Sequence, residues 1–107
     1  MAYTELTPTA IGRNEVVAQA SASSDAADIK IPYGRDDKLL IEISAGTAGS
    51  VVIEKGTGYA AADADLTVLS SATGTKYVVV ETAKYGKDGY IYIDVTTHGQ
   101  VRAYQLS

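Results

Sequence analysis

The chain has no cysteine, so no disulfide can staple it, no thiolate can hold a metal and no thiol can serve as a nucleophile. Phenylalanine and tryptophan are absent too. The core must therefore be built from small and branched aliphatic side chains, without large apolar rings. There is one histidine, and there are two prolines. Apolar runs reach only four residues, as in Tyr77-Val78-Val79-Val80. A membrane-spanning helix needs about 20, so none is expected. Nine Lys and Arg against thirteen Asp and Glu give a net charge of −4. That sign repels phosphate backbones and argues against a nucleic-acid groove. The opening residues, Met1-Ala2-Tyr3-Thr4-Glu5-Leu6, carry neither a basic region nor an apolar stretch. The reading is of a chain without a secretory signal, made in the cytoplasm.

What is present suits one domain. The sequence has 107 residues, of which 46% are hydrophobic and 21% charged, enough to bury a core without cross-links. Its dominant period is two. Residues 89–96 place Ile91, Ile93 and Val95 on one face, with Tyr90, Tyr92, Asp94 and Thr96 on the other, as in a half-buried strand. Residues 38–44 separate Leu39, Ile41 and Ile43 from Leu40, Glu42 and Ser44. Residues 101–106 alternate as well, but both faces carry something apolar. Shorter runs fall at 15–20, 28–31, 50–55, 66–70 and 75–82.

Turn signals separate these runs: Pro32 to Asp37, Ala45 to Gly49, Ser70 to Gly74, Gly86 to Gly89 and Thr97 to Gln100. The second, third and last read as hairpins, and Asp88-Gly89 suits a tight turn with positive φ. The expected fold is all-β: a single antiparallel β-sandwich or flattened barrel, immunoglobulin-like or jelly-roll-like, of about seven to nine strands. Its core should hold Leu39, Ile41, Ile43, Val51, Ile53, Ile91, Ile93 and Val95. Residues 1–13 have Thr4, Thr7, Pro8 and Thr9, with Leu6 and Ile11 as isolated apolar anchors. They read as an extended arm that orders on a partner, and residues 14–107 as the sandwich domain.

Catalytic chemistry finds little support. His98 sits in a turn without a nucleophile or orienting group beside it in sequence, and no nucleophile elbow is present. Asp63-Ala64-Asp65 and Asp36-Asp37 do not extend into a calcium loop with its terminal glutamate. Glu54 to Tyr59 has its lysine on the wrong side for a phosphate cradle. No catalytic residue, metal ligand or cofactor is expected. The tyrosines say more, because all eight aromatic residues are tyrosine. Tyr90 and Tyr92 share a face opposite Ile91 and Ile93, and tyrosine suits interfaces by joining contact area to a polar tip. Tyr85 lies nearby in sequence, and Tyr3, Leu6, Pro8 and Ile11 are the contact residues that the arm offers.

The opening Met1-Ala2-Tyr3-Thr4-Glu5-Leu6-Thr7-Pro8-Thr9 is similar to the start of small proteins encoded beside the major capsid gene of tailed bacteriophages. Residues 64–69, 74–77, 88–95 and 99–106 share that group's strand-and-turn rhythm. The chain thus resembles capsid decoration, or head cement, proteins over most of its length, apart from Arg13 to Tyr33. The resemblance implies a non-enzymatic structural protein on the outer capsid surface of the virion, reinforcing the head. It implies the major capsid protein as partner, a homo-oligomer (a trimer), and no nucleic acid or membrane. A tail-tube or head–tail joining subunit is the alternative within the particle. A carbohydrate-binding or adhesin module is the alternative outside it, and the absence of tryptophan counts against that one.

Overall fold

A fully extended strand of 16 residues would run about 50 Å. The computed structural model contains two strands of that length, β4 (Lys38–Ile53) and β5 (Leu66–Glu81), yet its longest extent is 35 Å. Both strands must therefore bend, and the bend organises the molecule. The structure describes residues 3–12, 16–23, 27–33, 38–57 and 61–106. Its other elements are β1 (Thr4–Glu5), β2 (Thr9–Ile11), β3 (Ile29–Pro32), the one-turn helix α1 (Thr82–Tyr85), β6 (Gly86–Lys87), β7 (Tyr90–Val95) and β8 (Gln100–Leu106).

β4 is the spine. Along one edge it pairs antiparallel with β5, from Lys38↔Glu81 to Ile53↔Leu66. Its other edge is shared: Leu39–Ser44 pair with β8, and Val51–Ile53 with β7. β7 and β8 therefore run end to end beside β4, and Thr96–Gly99 is a bend between them rather than a hairpin. The β4–β5 register slips between Ala45 and Val52, at the level where Ser71 (φ 48°) and Gly74 (φ 124°) take left-handed backbone. A Cβ on Gly49 would run into the His98 carbonyl, so the 96–99 bend nests against β4 only because residue 49 has no side chain.

The hairpins expected at 45–49, 70–74 and 97–100 are thus corrected to bends within continuous strands or strand pairs. The small residues and glycines that permit a hairpin also permit a bulge, and local sequence does not separate the two. Asp88 (φ 56°) and Gly89 (φ 84°) do make the expected tight turn, joining β6 to β7. Residues 16–20, read as part of a strand, are not in one.

The chain is β-rich, as expected, but two features differ from the expected antiparallel sandwich. All ladders join a single curled sheet, in the order β1-β3-β7-β4-β8-β2 with β5 on β4 and β6 on β7. That sheet is also mixed, because β1 pairs parallel with β3 and β2 parallel with β8. Only Leu6, Thr7 and Pro8 separate β1 from β2, and such a link spans at most about 14 Å. The sheet must therefore curl until its β3 and β8 margins are close enough for one short segment to bridge them. Residues 3–12, expected as an arm, lie along the chain's own sheet.

The interior of the curl is the core. Leu39, Ile41, Ile43, Val51, Ile53, Ile91 and Ile93 have no exposed surface and Val95 only 4%, as the alternation indicated. Ile29, Ile31, Leu69, Val80, Val101 and Ala103 join them. Burying each branched side chain stabilises the fold by roughly 1.5–3 kcal/mol.

Candidate functional site: a tyrosine and carboxylate face

With Ile91, Ile93 and Val95 inward, the pleat sends Tyr90, Tyr92 and Asp94 to the outer face of β7. The neighbouring strands supply the rest. β3 sets Lys30 opposite Tyr92, and the Asp88-Gly89 turn sets Lys87 opposite Tyr90. Glu54, just past the end of β4, is fixed by its backbone N–H donating to the Tyr92 carbonyl at 2.9 Å. β1, paired to β3, carries Tyr3 over the top of this group.

The Tyr3 ring meets Tyr92 edge-on at 4.9 Å, and Tyr92 tilts against Tyr90 at 6.1 Å. The Lys30 ammonium lies 4.6 Å from the Tyr90 ring centre and that of Lys87 5.0 Å from Tyr92, within cation–π range. Lys87 also pairs with Glu54 at 2.9 Å. The Tyr3 hydroxyl lies 2.6 Å from Glu54 Oε2 and 2.7 Å from Asp94 Oδ1. The Tyr90 hydroxyl approaches Glu5 Oε1 at 3.4 Å.

One hydroxyl has one proton and cannot donate to two carboxylates at once. The hydrogen bond from Tyr3, together with Lys87, holds the Glu54 carboxyl below its ordinary range against the opposing effect of burial. Asp94 is pushed the other way, by burial first and by the neighbouring Glu54 and Asp28 charges, although Tyr3 opposes this. The consistent arrangement has Tyr3 donating to ionised Glu54, and Asp94, when protonated, donating to Glu54 as well. The carboxylates in turn push the Tyr3 hydroxyl far above the usual phenol range, Glu54 most strongly. Such a hydroxyl is a hydrogen-bond donor and not a nucleophile. Chemically, the cluster clasps β1 to the sheet and leaves an aromatic, mixed-charge surface around Tyr90.

The structure gathers three of the expected contact residues, Tyr3, Tyr90 and Tyr92. Leu6 and Tyr85 pack against the core instead. Pro8 is half-buried in the link between β1 and β2, and Ile11 pairs with Leu106. Sequence reading missed Glu54, Lys87 and Lys30 as members of the face. The only local signal was Asp94 sharing its parity with Tyr90 and Tyr92.

His98 is exposed in the 96–99 bend. Asp63 is exposed, and Asp65 accepts the Lys55 N–H at 2.8 Å. Asp36, Asp37 and Tyr59 lie outside the described residues. Among the described residues no three His, Asp or Glu side chains converge, and no helix is long and apolar enough to cross a membrane.

A second polar group has a structural role. Arg102 pairs with Glu42 at 3.2 Å and its Nε donates to the Ala20 carbonyl. The Ala20 N–H donates to the Tyr104 hydroxyl at 2.9 Å. Ser23 and Val101 bond each other twice, the Ser23 N–H to the Val101 carbonyl and the Val101 N–H to Ser23 Oγ. Residues 19–23 are thereby strapped over the outer face of β8.

Compared with family models, curated proteins and solved structures, the chain matches none.

Proposed function

We propose that this chain is a non-enzymatic structural protein that binds the outside of a tailed-bacteriophage head and reinforces the capsid. The observation that carries the binding reading is the outer face of β7, where Tyr3, Tyr90, Tyr92, Lys30 and Lys87 come together. Clustered tyrosines of this kind concentrate binding energy at protein interfaces. The tyrosine–carboxylate cluster supports binding over catalysis, because its hydroxyl is committed as a donor. The head, the major capsid protein as partner, a homo-oligomeric state and the virion location come from the sequence resemblance.

In this reading the protein bridges neighbouring capsid subunits and so opposes the pressure of packaged DNA. Co-sedimentation with expanded heads tests it. The full chain should travel with the heads, and Tyr90→Ala combined with Lys30→Ala should weaken retention by about tenfold or more, with an unchanged melting curve. Equal retention of both proteins would exclude this face, and no retention of either would exclude the head. A second reading, a tail-tube or head–tail joining subunit, is favoured by the edge of β5 that no strand covers among the described residues, since rings grow through exposed strands.

A further inference from the structure

The curled sheet treats its two margins differently. Residues 3–12 cover the β3 and β8 margins through two parallel ladders. The opposite margin is β5, which pairs only with β4 among the described residues. An open strand edge presents a row of backbone donors and acceptors for another strand. The same strand carries two of the three exposed large apolar side chains among the described residues: Tyr77 at 64% and Val79 at 52% exposure. Residues 75–81 contain no proline, and their register with β4 runs without a slip. The usual guards of an edge are reduced to two charged side chains, Lys76 and Glu81, near its ends.

We propose that β5 is a self-recognition edge, through which two copies of this chain pair antiparallel over residues 75–81 about a two-fold axis at Val78. Two arguments select a second copy in this register. In an antiparallel pair, directly opposed residues point to the same face. A two-fold pair must therefore oppose residues of the same parity, and centring on Val78 sets Tyr77 of each copy against Val79 of the other. Exposed ring meets exposed branched side chain twice, a favourable cross-strand combination.

Charge is the second argument. In this register Lys76 faces Val80 and Glu81 faces Thr75 of the other copy, so no like charges are opposed, whereas an in-register parallel pair would stack Lys76 on Lys76 and Glu81 on Glu81.

The area of one short strand pair falls below that of a stable interface, so the dimer should form only at about 10–100 µM or above. The inference is independent of the head-binding reading, whose variants lie on β3 and β7.

The absence of native cysteine makes the register directly testable. Cross-strand Cα separations of about 4.5–5.5 Å fall within disulfide reach, while the next positions along lie beyond it. Tyr77→Cys and Val79→Cys proteins, oxidised at about 100 µM, should each remain largely uncross-linked. Mixed, they should give at least about fivefold more disulfide dimer. The unmodified chain should sediment as a monomer–dimer equilibrium, and Val79→Lys as a monomer with an unchanged melting curve. Equal cross-linking alone and mixed, no cross-linking in the mixture, or a strictly monomeric chain at several hundred micromolar would each overturn the proposal.

Discussion

β4 and β5 have equal length and lie side by side, but their surroundings are opposite. β4 has strands on both edges, and Leu39, Ile41, Ile43, Val51 and Ile53 are fully enclosed. Among the described residues β5 has one strand neighbour and encloses only Leu69 and Val80, although it holds the four-residue apolar run Tyr77-Val78-Val79-Val80. Position in the sheet, more than local hydrophobicity, decides how much water each strand loses. The difference also teaches where substitutions should matter.

The largest expected effect is on the spine. Ile41→Ala should cost about 3 kcal/mol through lost burial and a residual cavity, a fall of roughly 12–24 °C in melting temperature. Val79→Ala should stay within about 0.5 kcal/mol. Comparable losses at the two sites in thermal melts would break the contrast between the strands.

Next comes the bend. Gly49→Ala forces a Cβ onto the His98 carbonyl, so the 96–99 bend must move away from β4 at a cost of about 2–3 kcal/mol. Gly46→Ala, with open space around its Cβ position, should be close to neutral. Denaturant midpoints of the pair would show whether this bend is tightly packed.

A somewhat smaller effect is expected from Arg102→Ala, which strands a Glu42 side chain only 9% exposed. Because Arg102 itself reaches solvent, about 2 kcal/mol is expected rather than the full cost of a deeply buried pair. Glu42→Gln with Arg102→Ala should recover part of it.

The smallest effect is at the tyrosine face and sharpens its electrostatics. The folded-state pKa of Asp94 is raised, so its contribution is fully present below the ordinary aspartate range and is lost as pH rises through the folded value. Glu54, held low, contributes above the ordinary glutamate range and loses that contribution as pH falls through its folded value. Asp94→Asn keeps an acceptor for Tyr3 and removes the ionisation. It should raise the melting temperature slightly at pH 7, and the advantage should vanish in acid below the ordinary aspartate pKa. A lower melting temperature at pH 7 would show that the Asp94 charge stabilises the clasp.

The core was legible because strict alternation at Ile91, Ile93 and Val95 and at Leu39, Ile41 and Ile43 has one reading whichever strands are neighbours. Asp88-Gly89 was legible because its backbone demand is local. Ala45 to Gly49 was not, since whether a glycine-containing stretch turns back or bends onward depends on β8 and β7, which lie far along the chain. The ambiguous faces of β8 have the same kind of cause. Val101 and Ala103 face the core, while Tyr104 is covered on the other side by Ala20, and nothing near residue 104 announces that cover. At the tyrosine face, parity revealed Tyr90, Tyr92 and Asp94 together. Tyr3 and Glu54 arrive there through strand order, which one sequence does not display.

The bridge made by residues 3–12 also bears on how the fold is reached. Thr9 pairs with Tyr104 and Ile11 with Leu106, contacts between opposite ends of the sequence. Closing so large a loop costs chain entropy before any ladder forms to offset it, and folds dominated by distant pairings are slow. The β4–β5 ribbon can assemble from nearer segments. The seam at β2 and β8 should then be among the last ladders to form, and the collapsed chain would meanwhile keep an extra open edge, on β8, that the finished molecule conceals.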